Sequence, residues 1–272
     1  MSHVIITGAS RGLGAAVALR ASNLGWDVSI GARSRVDLDT ISKLLNPKQN
    51  NHANSIDVSI EKSVTEFFKN AVDHNGPASA VVHCAGIYGP FGPSNSIRAD
   101  EWIRTIETNL MGTFYVARSA IDMMLEHNGG KIVLLSGGGA TNPMPNISGY
   151  AASKAAVVRL METLALEVQE HNIQINAVAP GLLDTAMLDE VIKAGPSAVG
   201  ESFFKRMVQA KSDGADSMDN AVELILFLMN NNVPGLTGRL ISSKWDEWRS
   251  WDANTSIFNS QDIFTLRRQV TP

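Results

Sequence analysis

One cysteine in 272 residues, Cys84, leaves no pair for an internal disulfide. No charge sign dominates either: 23 Lys and Arg face 27 Asp and Glu, for a formal net charge of -4 at pH 7. A general basic surface for nucleic acid or anionic lipid is thereby excluded, and any phosphate site must be local. No apolar run approaches the roughly 18 residues needed to span a bilayer; the longest helical candidate is 224–229. Met1-Ser2-His3-Val4 leads into an apolar strand without a basic stretch or an apolar signal, so a reducing cytoplasm is expected. Charged residues are scarce, 18% against 44% hydrophobic, which is too little charge for a disordered chain and enough apolar surface for a sizeable core. Linkers, internal repeats and low-complexity tracts are missing too. One soluble domain is expected over 1–244, with 245–272 as a polar, aromatic-bearing tail packed on it or on a neighbouring subunit.

What the chain does have is alternation. Short β-rich apolar runs at 4–6, 28–30, 53–56, 80–83, 132–135 and 175–178 alternate with segments of helical period at 13–24, 36–45, 60–74, 99–127 and 148–171. Strands separated by helices pair in parallel through right-handed crossovers, so the expected fold is α/β, a doubly wound parallel sheet with helices on both faces. Residues 183–215 stand apart as a helix-like insertion broken by Gly195-Pro196, expected at the surface beside a ligand.

Thr7-Gly8-Ala9-Ser10-Arg11-Gly12-Leu13-Gly14 follows the first strand directly and opens a helix of Ala, Val and Leu. Glycine permits a tight turn and the close approach of a pyrophosphate, which then rests on the free N–H groups and positive dipole end of the helix. The same residues also spell Gly-x-Ser-x-Gly, the turn that carries the nucleophile of α/β-hydrolases, here Ser10. Only one strand precedes Ser10 and no His-Gly-Gly-Gly run lies upstream, so a serine hydrolase is the weaker alternative. The turn resembles the Thr-Gly-x-x-x-Gly-x-Gly of the classical short-chain dehydrogenase/reductase family, and not the Thr-Gly-x-x-Gly-x-x-Gly of its longer-chain epimerases and dehydratases. That resemblance implies a single Rossmann-type domain in which Gly8, Ser10, Arg11, Gly12, Leu13 and Gly14 bind a nicotinamide dinucleotide.

The second strand ends Ile30-Gly31-Ala32-Arg33-Ser34, without an acid to hold the ribose 2′-hydroxyl of NAD; Asp27 comes too early and Asp37 too late. Arg33, with Ser34 beside it, puts a permanent cation at that edge, and Arg11 supplies a second, matching a dianionic 2′-phosphate. NADP(H) is therefore expected over NAD(H); two solvated surface arginines are the other reading. Asp57-Val58 resembles the family's acidic position beside the adenine amino group, and reads equally as a helix N-cap with Ser59 and Glu61 at capping distance. His83-Cys84-Ala85-Gly86 stands where the family has Asn-Asn-Ala-Gly. It keeps Ala85 and Gly86, which let the cofactor ribose lie against the backbone, while His83 reads as a structural hydrogen-bonder and Cys84 as a small buried filler.

Tyr150-Ala151-Ala152-Ser153-Lys154 puts Tyr and Lys four apart on one helix face. Reducing a carbonyl needs a hydride at carbon and a proton at oxygen. A phenol with its usual pKa of about 10 is a poor partner at neutral pH unless a cation such as Lys154 lowers it. Tyr-x-x-x-Lys is common in helices; its place after the fifth strand, just beyond Leu135-Ser136-Gly137-Gly138-Gly139, is what resembles the family's catalytic site. The resemblance makes Ser136 the residue that binds and orients the substrate oxygen, Tyr150 the proton donor and Lys154 the support of the tyrosinate and a ligand of the ribose. It makes Asn109 the holder of a proton-relay water near the lysine, although a mid-helix asparagine also reads as a solvated side chain. Thirteen residues separate Ser136 from Tyr150, one more than the family interval, with Gly137 at the commonest serine position. A bulge in 137–139 would absorb the offset; Ser148 is the alternative. Pro180-Gly181-Leu182-Leu183-Asp184-Thr185 resembles the segment in which Thr185 and the N–H of Leu183 hold the nicotinamide amide, and otherwise reads as a loop with a helix N-cap.

The resemblance covers residues 3–242. Beyond them the family's Asp-Gly-Gly close is replaced by Ser242-Ser243-Lys244-Trp245-Asp246-Glu247-Trp248. It implies an oxidoreductase interconverting a ketone or aldehyde and an alcohol, assembled as a homodimer or homotetramer through the helices that hold Asn109 and Tyr150. The expected pocket wall is mostly apolar, drawn from Tyr88, Phe91, Met144, Pro145, Met187, Leu188, Phe203 and Trp245 or Trp248, and identifies no single compound. No metal, nucleic-acid or membrane partner is expected. The alternative from another class is a catalytically silent NADP(H)-binding regulator, against which the retention of Tyr150, Lys154 and Asn109 counts.

Overall fold

The structure is a computed structural model that describes residues 2–260 and 262–268. The first half alternates as the periodicity requires: β1 (His3–Thr7), α1 (Gly12–Asn23), β2 (Asp27–Ala32), α2 (Arg35–Ser42), β3 (His52–Ser55), α3 (Glu61–Asn75) and β4 (Ala80–His83). Next comes α4 (Ala99–Ile106), which runs through a π turn (Glu107–Met111) into α5 (Gly112–Leu125), followed by β5 (Gly130–Leu135), α6 (Ser148–Glu167) and β6 (Ile173–Ala179). The insertion forms α7 (Ala186–Ala194), α8 (Pro196–Val199) and α9 (Glu201–Asp213), and the chain returns to the sheet through α10 (Met218–Asn230) and β7 (Arg239–Ser242).

The sheet is parallel throughout, in the order β3-β2-β1-β4-β5-β6-β7. Alternate strand residues face opposite ways, so both faces need cover. Ile5, Val81, Ile132, Leu134 and Ile175 pack against α3, α5 and α6, whereas Val4, Ile6, Val82, Val133 and Leu135 pack against α1 and α10. Burial of each such side chain contributes about 1.5–3 kcal/mol. The strand order reverses between β1 and β4, and the crevice this leaves at their carboxyl ends is where an open α/β sheet takes a ligand.

The sequence reading finds six strands and the structure has a seventh, β7. Four residues opening on an arginine do not read as a strand; Arg239 is accommodated because its guanidinium donates to the carbonyls of Ile263 (2.7 Å) and Ser260 (3.2 Å). The tail is part of the same solution. Trp248, Trp251 and Phe258 are buried in the core on the α10 side. The N–H of Leu240 donates to the carbonyl of Phe264 at 2.7 Å, so the tail runs along the free edge of β7. It is then fastened to α6: the N–H of Leu266 donates to the buried carboxylate of Glu162 (2.7 Å), Arg267 donates to the same carboxylate (3.1 Å), and Arg159 donates to the carbonyl of Leu266 (2.7 Å). No helix among the described residues is long and apolar enough to cross a membrane.

Replacing Glu162 by Ala removes the acceptor that holds the tail. The expected loss is about 1–2 kcal/mol in urea unfolding, since hydrogen bonds to a charged group are involved but both arginines are half exposed. Faster proteolysis within 260–268 should accompany it, and an unchanged midpoint with an uncut tail would show that the strap does not depend on this carboxylate.

Candidate active site

At the crevice, the glycine turn is held by contacts that only glycine allows. Gly8 (φ 71°) lies so close to the end of β4 that a Cβ there would stand 2.5 Å from the nitrogen of Ala85, and a Cβ on Gly14 would stand 2.4 Å from the carbonyl oxygen of Gly8. The start of α1 has no side-chain cap and no acid in its first turn. Its N–H groups are therefore left to an anion, with the positive end of the helix dipole behind them. This cradle suits a dinucleotide pyrophosphate.

A cavity of about 570 Å³ surrounds the turn, and Gly8, Ser10, Arg11, Gly12, Arg33, Ser34, Asp57, Val58, Ala85, Gly86 and Thr185 all line it. Arg33 makes no ion pair among the described residues, and Arg11 reaches only Glu190, 3.9 Å away with both groups well exposed. Asp57 does not cap α3, whose N-cap residue is Ile60. Its carboxylate accepts from the N–H (3.0 Å) and hydroxyl (2.7 Å) of Ser59, which folds the turn ahead of the helix. Asp37, set aside by spacing, also lines this cavity because Ser34 caps α2 on its N–H and brings the first helical turn back over the strand end.

Leu13, Tyr150, Lys154, Ser136, Pro180, Gly181, Leu183 and Thr185 line a second cavity of about 740 Å³, which shares Cys84, Gly86, Thr185 and Met187 with the first. Gly14 sits beneath the turn and lines neither. Tyr150 occupies the first turn of α6 and Lys154 the next, its Nζ donating to the carbonyl of Leu135 (2.8 Å) at the end of β5 and lying 5.7 Å from the Tyr150 ring centroid. Burial pushes the Tyr150 phenol above its ordinary pKa, with the Tyr88 phenol adding to the shift, and pulls the Lys154 amine down to about 8. Removal from water and the Tyr88 phenol alone account for that rise.

Ser136 is buried at the end of β5, its N–H bonded to the carbonyl of Val178 (2.8 Å) and its hydroxyl donating to the carbonyl of Lys154 (3.3 Å). The bulge expected in 137–139 does not form; Gly137 is extended and 138–140 close one tight turn. A Cβ on Gly137 would stand 2.6 Å from the Tyr150 hydroxyl oxygen, so the phenol rests where a side chain at 137 would begin. Ser148 is bound elsewhere, to Ser94 (2.9 Å) and the indole N–H of Trp102 (3.1 Å).

Asn109 lies in the π turn, fully buried, which removes the solvated reading. Its Oδ1 accepts from the N–H of Ile87 (2.9 Å), and its Nδ2 donates to the carbonyl of Ile87 (2.9 Å) and to the Ser153 hydroxyl (3.0 Å). Its own carbonyl accepts from Thr113 at 2.6 Å. His83 bonds Thr7 across the sheet (2.7 Å) and is held neutral, its pKa pulled to about 3 by burial with Lys154 adding. Cys84, expected as a buried filler, lines both cavities instead, and its thiol is pushed up to about 12 by burial, which leaves it a poor nucleophile. Gly181 (φ 84°) packs on Asp216, whose carboxylate accepts from the N–H of Leu182 (2.7 Å). Thr185 sits at the N-cap position of α7 with no capping bond, leaving its hydroxyl for a ligand. Ser10 has no histidine or acid bonded to it among the described residues, so the hydrolase alternative has no base.

Of the expected pocket wall, Tyr88, Met144, Met187, Leu188, Phe203 and Trp245 line the larger cavity. Trp248 belongs to the core, and Phe91 packs behind Tyr88, ring centroids 5.9 Å apart. Sequence reasoning missed Arg206, Lys244 and the tail residues Phe264 to Leu266, which also line it. Lys244 is neutralised by Asp216 (2.7 Å), whereas Arg206 makes no ion pair among the described residues.

The sequence matches the profile of a family described as short chain dehydrogenase over residues 2–195. It is 37% identical over 185 residues to 3β-hydroxysteroid dehydrogenase 1 of Eggerthella lenta, covering 67% of this chain and 70% of that protein. To versicolorin reductase of Emericella nidulans it is 30% identical over 250 residues, covering 87% and 92%. Its fold matches a variant of actinorhodin polyketide ketoreductase solved with NADPH, with a TM-score of 0.80 and 25% identity over 89% of this chain and 95% of that one.

Two buried histidines give the molecule an acid limit. His3 is pulled from 6.5 to about 4 and His83 to about 3, both chiefly by burial. Unfolded histidine takes up a proton below about pH 6.5 and the folded forms do not, so this stability is present above 6.5 and is lost as the pH falls towards 4 and then 3. Together they are worth several kcal/mol, His83 the larger share. The thermal midpoint should drop between pH 6.5 and 4, and His83→Asn should flatten that slope; an equal slope in the variant would remove His83 from the account.

Proposed function

We propose that this chain, which belongs to the short-chain dehydrogenase family, is an NADP(H)-dependent reductase of a bulky, largely apolar ketone, with Tyr150 as its proton donor. The observation that carries the reading is the Tyr150 hydroxyl. It has no hydrogen-bond partner among the described residues, and it lines an apolar-walled cavity that adjoins the glycine cradle. When bound, a nicotinamide dinucleotide supplies the hydride.

The residues present fit that cofactor. The start of α1 takes the pyrophosphate, and Arg33 with Arg11 takes the 2′-phosphate, which is the basis for preferring NADP(H). Asp57 and Val58 border the adenine, and Ala85 and Gly86 leave the ribose room: a Cβ on Gly86 would come within 3.5 Å of the Lys154 Nζ. Lys154 spends one donor on Leu135 and keeps two for the ribose hydroxyls. Pro180, Gly181, Leu183 and Thr185 hold the nicotinamide end. A phenol raised by burial stays protonated across the neutral range, so Tyr150 carries the proton that a developing alkoxide would take. Asn109 acts by holding the segment after β4 and α6 in register. Ser136 borders the substrate with its hydroxyl committed to Lys154.

The ketone class rests on the cavity's Met, Leu, Phe and Trp lining and on relatives named for a hydroxysteroid and a polyketide. We read residues 1–244 as one cytoplasmic domain with 245–272 as its tail, assembled as a homodimer or homotetramer through the α5 and α6 surfaces.

Following NADPH absorbance over a panel of bicyclic and aliphatic ketones tests this. Tyr150→Phe should cut kcat by at least about 100-fold with NADPH still bound, and Arg33→Glu should weaken NADPH by about 10- to 100-fold while sparing NADH. Full rate in the Phe variant would overturn the mechanism; NADPH binding without turnover of any ketone would turn the reading towards a regulator.

A further inference from the structure

A ketone that accepts hydride at carbon develops negative charge on oxygen, and one phenol is a thin support for it; family resemblance assigns the second donor to a serine. Here that serine borders the cavity with its proton already given to a backbone carbonyl. The Ser136 hydroxyl donates to the carbonyl of Lys154, and the neighbouring position is Gly137, over which the Tyr150 phenol lies. Of the other hydroxyls on the cavity wall, Thr185 is left for the nicotinamide end, and the rest are bonded or peripheral. Thr265 donates to Asp262, Ser242 accepts from the N–H groups of Lys244 and Trp245, and Thr141 is exposed at the rim, accepting from Asn142.

Tyr88 is different. It follows Ile87, the residue that Asn109 grips on both its N–H and carbonyl, so its backbone is fixed. Its ring packs against that of Tyr150 with centroids 4.7 Å apart, and the Phe91 ring packs on it as well. Both tyrosines line the larger cavity, neither hydroxyl has a partner among the described residues, and neither is sealed from the cavity.

We propose that Tyr88 is a catalytic residue whose hydroxyl supplies the second hydrogen bond to the substrate oxygen, beside Tyr150. This rests on the reductase reading. In the step, the two electrons of the hydride from NADPH form the new C–H bond, and NADPH is oxidised to NADP⁺. The carbonyl π pair moves to oxygen, and that oxygen takes the Tyr150 proton, leaving a phenolate that solvent reprotonates. Tyr88 keeps its proton throughout and polarises the carbonyl. Burial raises the Tyr88 phenol as it does Tyr150, which keeps both in the donating form.

The test compares Tyr88→Phe, Ser136→Ala and Tyr150→Phe with the unvaried protein, using 1-tetralone as substrate. A second readout is calorimetric affinity of the NADPH-loaded proteins for 3,4-dihydroisoquinolin-1-one, a lactam whose carbonyl stands for the ketone and is not reduced. Tyr88→Phe keeps both ring contacts, so its melting point and NADPH affinity should match the unvaried protein. It should lose about 100-fold in kcat and several-fold in lactam affinity, while Ser136→Ala loses less than about 3-fold. Tyr88→Phe with full rate, or Ser136→Ala with the larger loss, overturns the assignment while a dead Tyr150→Phe leaves the reductase reading standing. Absence of turnover in the unvaried protein defeats that reading, and the lactam then decides: weakened binding in Tyr88→Phe supports the hydrogen bond, and equal binding or none overturns it.

Discussion

The site hangs on one buried amide. Asn109 is fully enclosed, and a buried side-chain amide without partners costs several kcal/mol on transfer from water. Here it spends its oxygen on the N–H of Ile87 and its nitrogen on the carbonyl of Ile87 and the hydroxyl of Ser153. Those bonds join the segment leaving β4 to the second turn of α6. Gly86 and Tyr88 flank the residue gripped on one side, Tyr150 and Lys154 the one gripped on the other, so the same amide sets where ribose space, the two phenols and the lysine meet. The π turn is what makes this possible. One wider turn swings a residue of an otherwise regular helix inward, and such turns recur at functional sites.

Burial acts in opposite senses on the two ionisable groups held this way. It raises the phenol of Tyr150 and lowers the amine of Lys154, each towards its neutral form. A cavity that disfavours charge in both partners is one in which an alkoxide is equally unwelcome without donors, and every hydrogen bond aimed at it counts for more than it would in water. That links the apolar part of the wall to the chemistry: Met187, Leu188 and Phe203 raise the weight of the polar atoms beside them.

What could be read from the sequence was what depends on local spacing. The glycine turn was legible because its three glycines fall at fixed steps between one apolar strand and one helix, although only Gly14 packs within that unit while Gly8 meets Ala85 and Gly12 meets Thr185, and Tyr150 with Lys154 because a four-residue step on a helix has only one geometry. Ser136 was legible as a position and not as a direction, since whether its hydroxyl meets substrate or the carbonyl of Lys154 is decided by how β5 packs on α6. Asp37 and Arg206 escaped for a like reason: helix α2 folding back and the insertion folding over bring them to cavities that sequence distance does not predict. β7 escaped because its partners are β6 on one side and, on the other, a stretch of tail with no strand pattern of its own.

That last arrangement bears on how the chain is made. An outer strand offers unpaired N–H and C=O groups to any other strand, and the covering for β7, drawn from Ser260, Ile263 and Phe264, lies well downstream of it. As the polypeptide leaves the ribosome, the sheet can be complete in all seven strands while this flank is still bare. The hazard of pairing with another nascent or unfolded chain therefore falls in the interval between the emergence of β7 and that of Leu266, and it closes when Leu266 reaches Glu162.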